Sequence, residues 1–179
     1  KELSRWMSKP RVRDAKKLHR LGKYLIGRVR YVTRYQYQRN PNSLHAWTDT
    51  DYAGCRETRK NTSGGFIFHG KHLLKSWSST QKVIALSSGE AEYYGIVRGA
   101  AEAIGIQSIM KDMELNPGIE LSEDSFAAKG IADRTGLGRV RHIEVNQLCV
   151  QEKVRDRVLK LRLLEGTKNL ADAFTKNVT

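Results

Sequence analysis

Hydrophobic and polar positions along the chain fall into short blocks that switch between helical and strand periods. From Pro10 a helical pattern runs to about Ile26, carried by Leu18, Leu21, Leu25 and Ile26, and Gly27 stops it. Val29 to Gln38, rich in Tyr, Val and Thr, predicts a strand ending in the turn cluster Asn40-Pro41-Asn42-Ser43. Leu44 to Asp49 alternates, and Gly64 to His69 and His72 to Ser78 flank Gly70-Lys71 in the pattern of a hairpin. Trp77, with Ser76 and Ser78 on the other face, is assigned to the core. Leu86 to Glu114 predicts one long helix, opened by Ser87 or Ser88 with Glu90 in its first turn and closed by Asn116-Pro117-Gly118. A strand over Ile119 to Glu123 follows, then a helix from about Ser125 to Asp133 and a loop at Gly136 and Gly138. A helix from about Ile143 to Arg155, a strand over Val158 to Leu164 and a last helix from near Asn169 complete the chain. There is no internal repeat, and the order of elements predicts an α/β fold with one mixed sheet.

Four acids fall at element ends on that sheet. Asp49 closes the first core strand, Asp124 follows the fourth strand, and Asp172 begins the last helix. Glu92 lies in the first turns of the long helix, on a stripe with Gly95, Ile96, Gly99 and Ala103. Small residues on a helix face allow close packing on a sheet, so Glu92 is expected to point at the sheet edge. Asp51 competes with Asp49 on the same strand face, although it is expected already in the turn, and Glu123 competes with Asp124 on the opposite face. Converging carboxylates without Cys or His suit hard, oxygen-seeking cations such as Mg²⁺. Two such ions about 4 Å apart clamp a phosphodiester, one activating water and the other stabilising the leaving oxygen.

Composition narrows the classes. The chain has 179 residues, the size of one domain with room for a real core. It opens on Lys1 rather than Met and is expected to be a segment of something longer. No apolar stretch approaches the roughly 18–20 residues needed to cross a bilayer, and no secretory signal pattern opens it. Cys55 and Cys149 lack metal or disulfide spacing and are expected as reduced thiols of a cytosolic or nuclear protein. The net charge is +13, and it is concentrated. In residues 1–40, thirteen Lys and Arg stand against Glu2 and Asp14, a net of +11, leaving +2 for residues 41–179. Trp6, Tyr24, Tyr31, Tyr35 and Tyr37 are interleaved with this charge, a composition suited to a phosphate backbone. An acidic protein partner is the alternative.

Several runs then identify a family. Trp47-Thr48-Asp49-Thr50-Asp51-Tyr52-Ala53-Gly54, Arg59-Lys60-Asn61-Thr62-Ser63-Gly64-Gly65 and Lys75-Ser76-Trp77-Ser78-Ser79-Thr80-Gln81-Lys82 resemble, in order, motifs of the ribonuclease H domain of Ty1/copia-type LTR retrotransposon polyproteins. So do Ala85-Leu86-Ser87-Ser88-Gly89-Glu90-Ala91-Glu92-Tyr93, Arg141-His142-Ile143-Glu144 with Gln151-Glu152-Lys153-Val154, and Asn169-Leu170-Ala171-Asp172-Ala173-Phe174-Thr175-Lys176. Leu3-Ser4-Arg5-Trp6-Met7-Ser8 and the basic helix after it resemble the end of the adjoining reverse transcriptase. The expected organisation is therefore a basic extension over residues 1–43 and an RNase H domain over 44–179. No Tyr-x-Asp-Asp polymerase motif occurs.

The resemblance implies an RNase H-like fold, a five-stranded mixed sheet flanked by helices, and a metal-dependent endoribonuclease that cuts the RNA strand of an RNA–DNA hybrid. It implies two Mg²⁺ ions, replaceable by Mn²⁺, with no small-molecule cofactor and no membrane. The implied partner is a reverse transcriptase domain of the same polyprotein, and the implied location is intracellular, in a cytoplasmic virus-like particle or the nucleus. Asp49 would bridge both ions, and Glu92 would hold the leaving-group ion near the ribose hydroxyl. Asp124 and Asp172 would hold the ion on the nucleophile side. Cys55, Gly65 and Gly89 depart from the family's usual residues, and the Glu165–Lys168 loop lacks the histidine of cellular and retroviral relatives, leaving Lys168 or bulk water in its place. Hybrid contacts are expected from the Thr62-Ser63 and Ser87-Ser88 turns, since 2′-hydroxyls and groove width are read by small polar groups. Phosphate contacts are expected from Lys82, Arg139 and Arg141, whereas His142 reads as structural. Two other classes remain: a non-cleaving module that only grips nucleic acid, and a DDE-type transposase, in which the catalytic Glu follows the second Asp rather than preceding it as Glu92 precedes Asp124. Deleting residues 1–40 is expected to weaken nucleic-acid binding and flatten its salt slope. Filter binding from low to high salt checks this.

Overall fold

The computed structural model describes the chain apart from residues 1, 2, 4, 5, 56, 57, 139–141, 144 and 177–179. Two compact units result, residues 1–37 and 38–179. In the first, helix α1 spans Val12–Ile26 and ends at Gly27. Arg11 lies over the Trp6 ring at 3.7 Å and pairs with Asp14 at 3.2 Å, and Asp14 accepts the Arg11 backbone N–H at the helix start. The apolar stripe Leu18, Leu21 and Leu25 is exposed.

The strand expected over Val29 to Gln38 does not form; residues 30–41 carry no regular structure. Its residue types favour strands, but strand propensity is realised only through pairing and packing. Among its described residues the first unit contains α1 and no strand to supply a ladder. Val29, Tyr31 and Tyr37 are accordingly left largely exposed.

The second unit is built on one sheet. Its strands are β1 (Ser43–Asp51), β2 (Thr62–His69), β3 (His72–Thr80), β4 (Gly118–Glu123) and β5 (Leu159–Leu163), in the spatial order β3-β2-β1-β4-β5. β1, β2 and β3 form an antiparallel meander, with the expected hairpin turning at Gly70, while β4 and β5 add in parallel. A parallel neighbour needs a crossover, and α2 (Ser88–Asp112) supplies the one between β3 and β4. Ser87 is its N-cap, accepting the Glu90 N–H. Further along lie α3 (Phe126–Asp133) and α4 (Cys149–Arg155). A 3-10 turn, Val145–Leu148, stands where the helix was expected to begin; a second, Gly166–Lys168, lies in the loop after β5, and a third, Leu170–Phe174, replaces the last helix.

The alternation of β1 puts Leu44, Ala46, Thr48 and Thr50 on the face that α2 covers. α2 reaches that face through glycine. A Cβ on Gly95 would lie 2.7 Å from the Thr50 hydroxyl oxygen, and one on Gly99 would lie 2.5 Å from the Thr48 methyl. Tyr93, Ile96, Ala100 and Ala103 then pack with Leu121, Ile119, Leu159 and Val150 in one core, which Trp77 joins as expected. No helix among the described residues is long and apolar enough to cross a membrane. Gly99→Val is expected to destabilise the protein by about 1–3 kcal/mol through overpacking, a loss that urea denaturation measures.

Candidate metal centre

Because β1 and β4 are parallel neighbours, with Trp47 opposite Ser122, their carboxyl ends open at the same edge of the sheet. Asp49 stands two residues before the end of β1, and Asp124 directly follows β4. The close seat of α2 brings its second turn to the same place. One carboxylate oxygen from each of Asp49, Glu92 and Asp124 lies within 4.8 Å of the others. Asp49 is buried and the other two are half-buried. The competitors sort themselves out. Asp51 ends β1 rather than lying in the turn, and Glu90 faces elsewhere. Glu90 is 1% exposed and accepts from the Leu86 N–H and the Tyr94 hydroxyl, each at 2.9 Å, with His142 Nε2 at 2.8 Å. His142 is thus engaged by a buried side chain of the fold.

Burial and mutual repulsion raise the proton affinity of Asp49 and Glu92. Burial is the main cause of the rise at Glu92, reinforced by the charges of Asp49 and Asp124, and together they push it up to about 8. Asp49 is also raised, first by burial and then by Asp172, against a hydrogen bond donated by the Thr175 hydroxyl. Beneath them lies Glu123, which the sequence offered only as a competitor of Asp124. It is 1% exposed and held well above the ordinary carboxylate range by burial and by Glu92. Its oxygens accept from the Thr48 hydroxyl at 2.7 Å and the Asp124 N–H at 3.1 Å.

Asp172 is on the 3-10 turn Leu170–Phe174 and stands outside the close trio. Its Oδ2 is 2.7 Å from Lys176 Nζ, and the other oxygen is buried without a hydrogen-bond partner. Glu92 Oε2 is likewise buried and unpartnered. Buried carboxylate oxygens normally find a donor. Two that lack one, beside an Asp49 and a Glu92 that both hold their protons more tightly than usual, match the needs of a hard divalent cation. The donor set fits Mg²⁺ or Mn²⁺.

The expected nucleic-acid contacts divide. Thr62 and Ser63 are not a turn. They open β2 opposite Asp51 and Thr50 and are buried, with the Ser63 hydroxyl accepting from Gln81 at 2.7 Å. Ladder pairing on both sides removes them from solvent. Ser87, Ser88 and Lys82 are exposed at and before the start of α2, and Lys168 is exposed and pairs with Glu165 at 2.8 Å. Arg139 and Arg141 lie outside the described residues. Thr175 and Lys176 were missed as site residues. The signal for Lys176 was its four-residue spacing from Asp172.

No family model matches the chain. It is 28% identical over 178 residues, 97% of its length, to the Retrovirus-related Pol polyprotein from transposon RE1 of Arabidopsis thaliana, and equally to that from transposon RE2. To the corresponding polyprotein from transposon TNT 1-94 of Nicotiana tabacum it is 31% identical over 148 residues, 75% of the chain. It spans only 12%, 12% and 10% of those relatives' own lengths. LC11-RNase H1, isolated from compost by a metagenomic approach, superposes with a TM-score of 0.50 at 18% identity over 74% of this chain and 92% of that one. The dRH form of a foamy viral protease-reverse transcriptase in complex with double-stranded DNA does so at 0.51 and 11% identity, over 95% of this chain and 29% of that one. Those likenesses show the fold, a five-stranded mixed sheet of the RNase H type with helices against it. With that fold at one end of the argument and polyprotein similarity along nearly the whole sequence at the other, the chain is a homologue of a segment of the Ty1/copia-type retrotransposon Pol polyproteins and has the RNase H-type fold.

Proposed function

We propose that this segment is a divalent-metal-dependent endoribonuclease that hydrolyses the RNA strand of an RNA–DNA hybrid during reverse transcription. The observation that carries the reading is the meeting of Asp49, Glu92 and Asp124 within 4.8 Å at the carboxyl edge of two parallel strands. Asp49, Glu92 and Asp124, which converge, would hold one ion, and Asp49 with Asp172 a second, so that Asp124 shares the ion of Glu92 rather than that of Asp172 as the resemblance implied. Bound there, Mg²⁺ supplies Lewis-acid activation of water and neutralises charge developing on the phosphate. The chain's own part is to hold the carboxylates in place. Thr48 and the Asp124 N–H fix Glu123 behind them, and the tight seat of α2 fixes Glu92.

The substrate side is the exposed start of α2. Ser87 and Ser88, the free N–H groups of the helix N-terminus and Lys82 are suited to a phosphate and to ribose hydroxyls. Lys168, Arg139 and Arg141 add positive charge from the later part of the sequence. The basic residues 1–43 serve as the tail of an adjoining reverse transcriptase and as a further grip on the nucleic acid.

Labelled RNA–DNA hybrid, double-stranded DNA and double-stranded RNA incubated with the protein in Mg²⁺, Mn²⁺ or EDTA test the reading. Cleavage of hybrid RNA alone, dependent on metal, is expected. Asp49→Asn is expected to lower the rate at least about a hundredfold with hybrid binding retained. Cutting of duplex DNA, or binding of hybrid without cutting, refutes the nuclease as proposed.

Acidity supplies a second test. An unfolded glutamate titrates near 4.5 and folded Glu92 at about 8, so between these values the folded state holds the extra proton. Stability of the metal-free protein therefore falls as pH rises through that window. Thermal melts in EDTA are expected to show Tm dropping from about pH 5 to pH 8. Glu92→Gln is expected to lessen the drop, and Mg²⁺ to raise Tm most at the alkaline end.

A further inference from the structure

The C-terminal segment is tied down at several points. Asn169 is buried, and its side-chain amide donates to the Thr48 carbonyl at 2.8 Å while its Oδ1 accepts the Ala171 N–H at 3.1 Å. The Ser78 hydroxyl donates to the Phe174 carbonyl, and Phe174 lies over Gly64 and against the Phe66 ring. A Cβ on Gly64 would come within 2.6 Å of Phe174, so this position of β2 is shaped to receive the segment. The Lys176 N–H returns to the Asp172 carbonyl at 2.9 Å. These ties leave two groups pointing at the acids. The Thr175 hydroxyl donates to Asp49, and the Lys176 ammonium sits 2.7 Å from Asp172 Oδ2, where Asp49 and Asp124 also attract it.

The four acids are therefore unequal. Asp49, Glu92 and Asp124 converge with no cation of the chain bonded to any of them among the described residues, whereas the Asp49–Asp172 side already holds a hydroxyl and an ammonium. We infer that Lys176 is a built-in counter-cation that closes the Asp49–Asp172 side to a second divalent ion until a nucleic-acid phosphate draws the ammonium away. The inference rests on the metal-centre reading above and goes beyond it by ordering the two ions. A monovalent cation held against Asp172 neutralises the carboxylate that the second ion needs and repels that ion. The Lys176 side chain is 59% exposed, so it is free to swing toward a phosphate without disturbing the fold.

The experiment counts bound Mn²⁺ from the free-ion electron paramagnetic resonance signal, using the full chain without nucleic acid. Wild type is expected to bind one ion tightly. Lys176→Met is expected to bind two, the second at least about tenfold tighter than any second ion of wild type, and Lys176→Arg is expected to behave as wild type. A 2′-O-methyl RNA–DNA duplex, which presents phosphates but no cleavable ribose, is expected to bring wild type to two ions. Circular dichroism checks that each variant folds. If Lys176→Met and wild type bind Mn²⁺ with the same count and affinity, and Asp49→Asn abolishes that binding, the metal centre stands and the role of Lys176 is overturned. If Asp49→Asn leaves Mn²⁺ binding unchanged, the metal centre itself fails. If the duplex leaves wild type at one ion, the phosphate-driven release is overturned.

Discussion

The close approach of α2 to β1 is the constraint on which the candidate centre depends. Where Gly95 and Gly99 meet Thr50 and Thr48, any side chain would push helix and strand apart by roughly the width of a methyl group. Glu92 is one turn before Gly95 or Ile96 on the same face, so its distance from Asp49 is set by that contact rather than by anything local to the carboxylates. The hydroxyl-bearing face of β1 belongs to the same device. Thr48 and Thr50 are small enough to accept the helix and still give their oxygens work, Thr48 by donating to Glu123.

Bringing acids together is costly, and the surroundings show how the cost is spread. Glu123 is kept near protonation and satisfied by two donors, so it contributes shape and hydrogen bonds without a full extra charge. Glu92 and Asp172 are each left with one buried oxygen lacking a donor. Asp49 and the other oxygen of Asp172 receive donors from the C-terminal segment. A protein of this kind stores electrostatic strain at one edge of a sheet and relieves it only when positive charge arrives.

Much of this was legible in the sequence because it is local. Ser87 announces α2 through a capping bond three residues long, Gly70 marks the hairpin, and the stripe of Gly95, Ile96 and Gly99 announces the helix face that meets the sheet. Asp49, Glu92 and Asp124 could be placed at element ends for the same reason. What was not legible is long-range. Val29–Gln38 has strand composition, but the unit that holds residues 29–37 has no strand among its described residues. Thr62 and Ser63 look like turn residues until two ladders claim them. Glu123 is hidden by its hydrogen bond to Thr48, 75 residues away. The part of Thr175 depends on a bond spanning 126 residues to Asp49.

The parallel pairing of β1 with β4 also has a kinetic side. β1, β2 and β3 are neighbours in sequence and can zip together soon after they are made. β4 is separated from its partner β1 by β2, β3 and the whole of α2, and the C-terminal turn reaches back across 126 residues to Asp49. Loop closures of that length slow folding. A nascent or half-folded chain thus has its carboxylates dispersed along an incomplete sheet, and the arrangement that gathers them arises only with the finished topology.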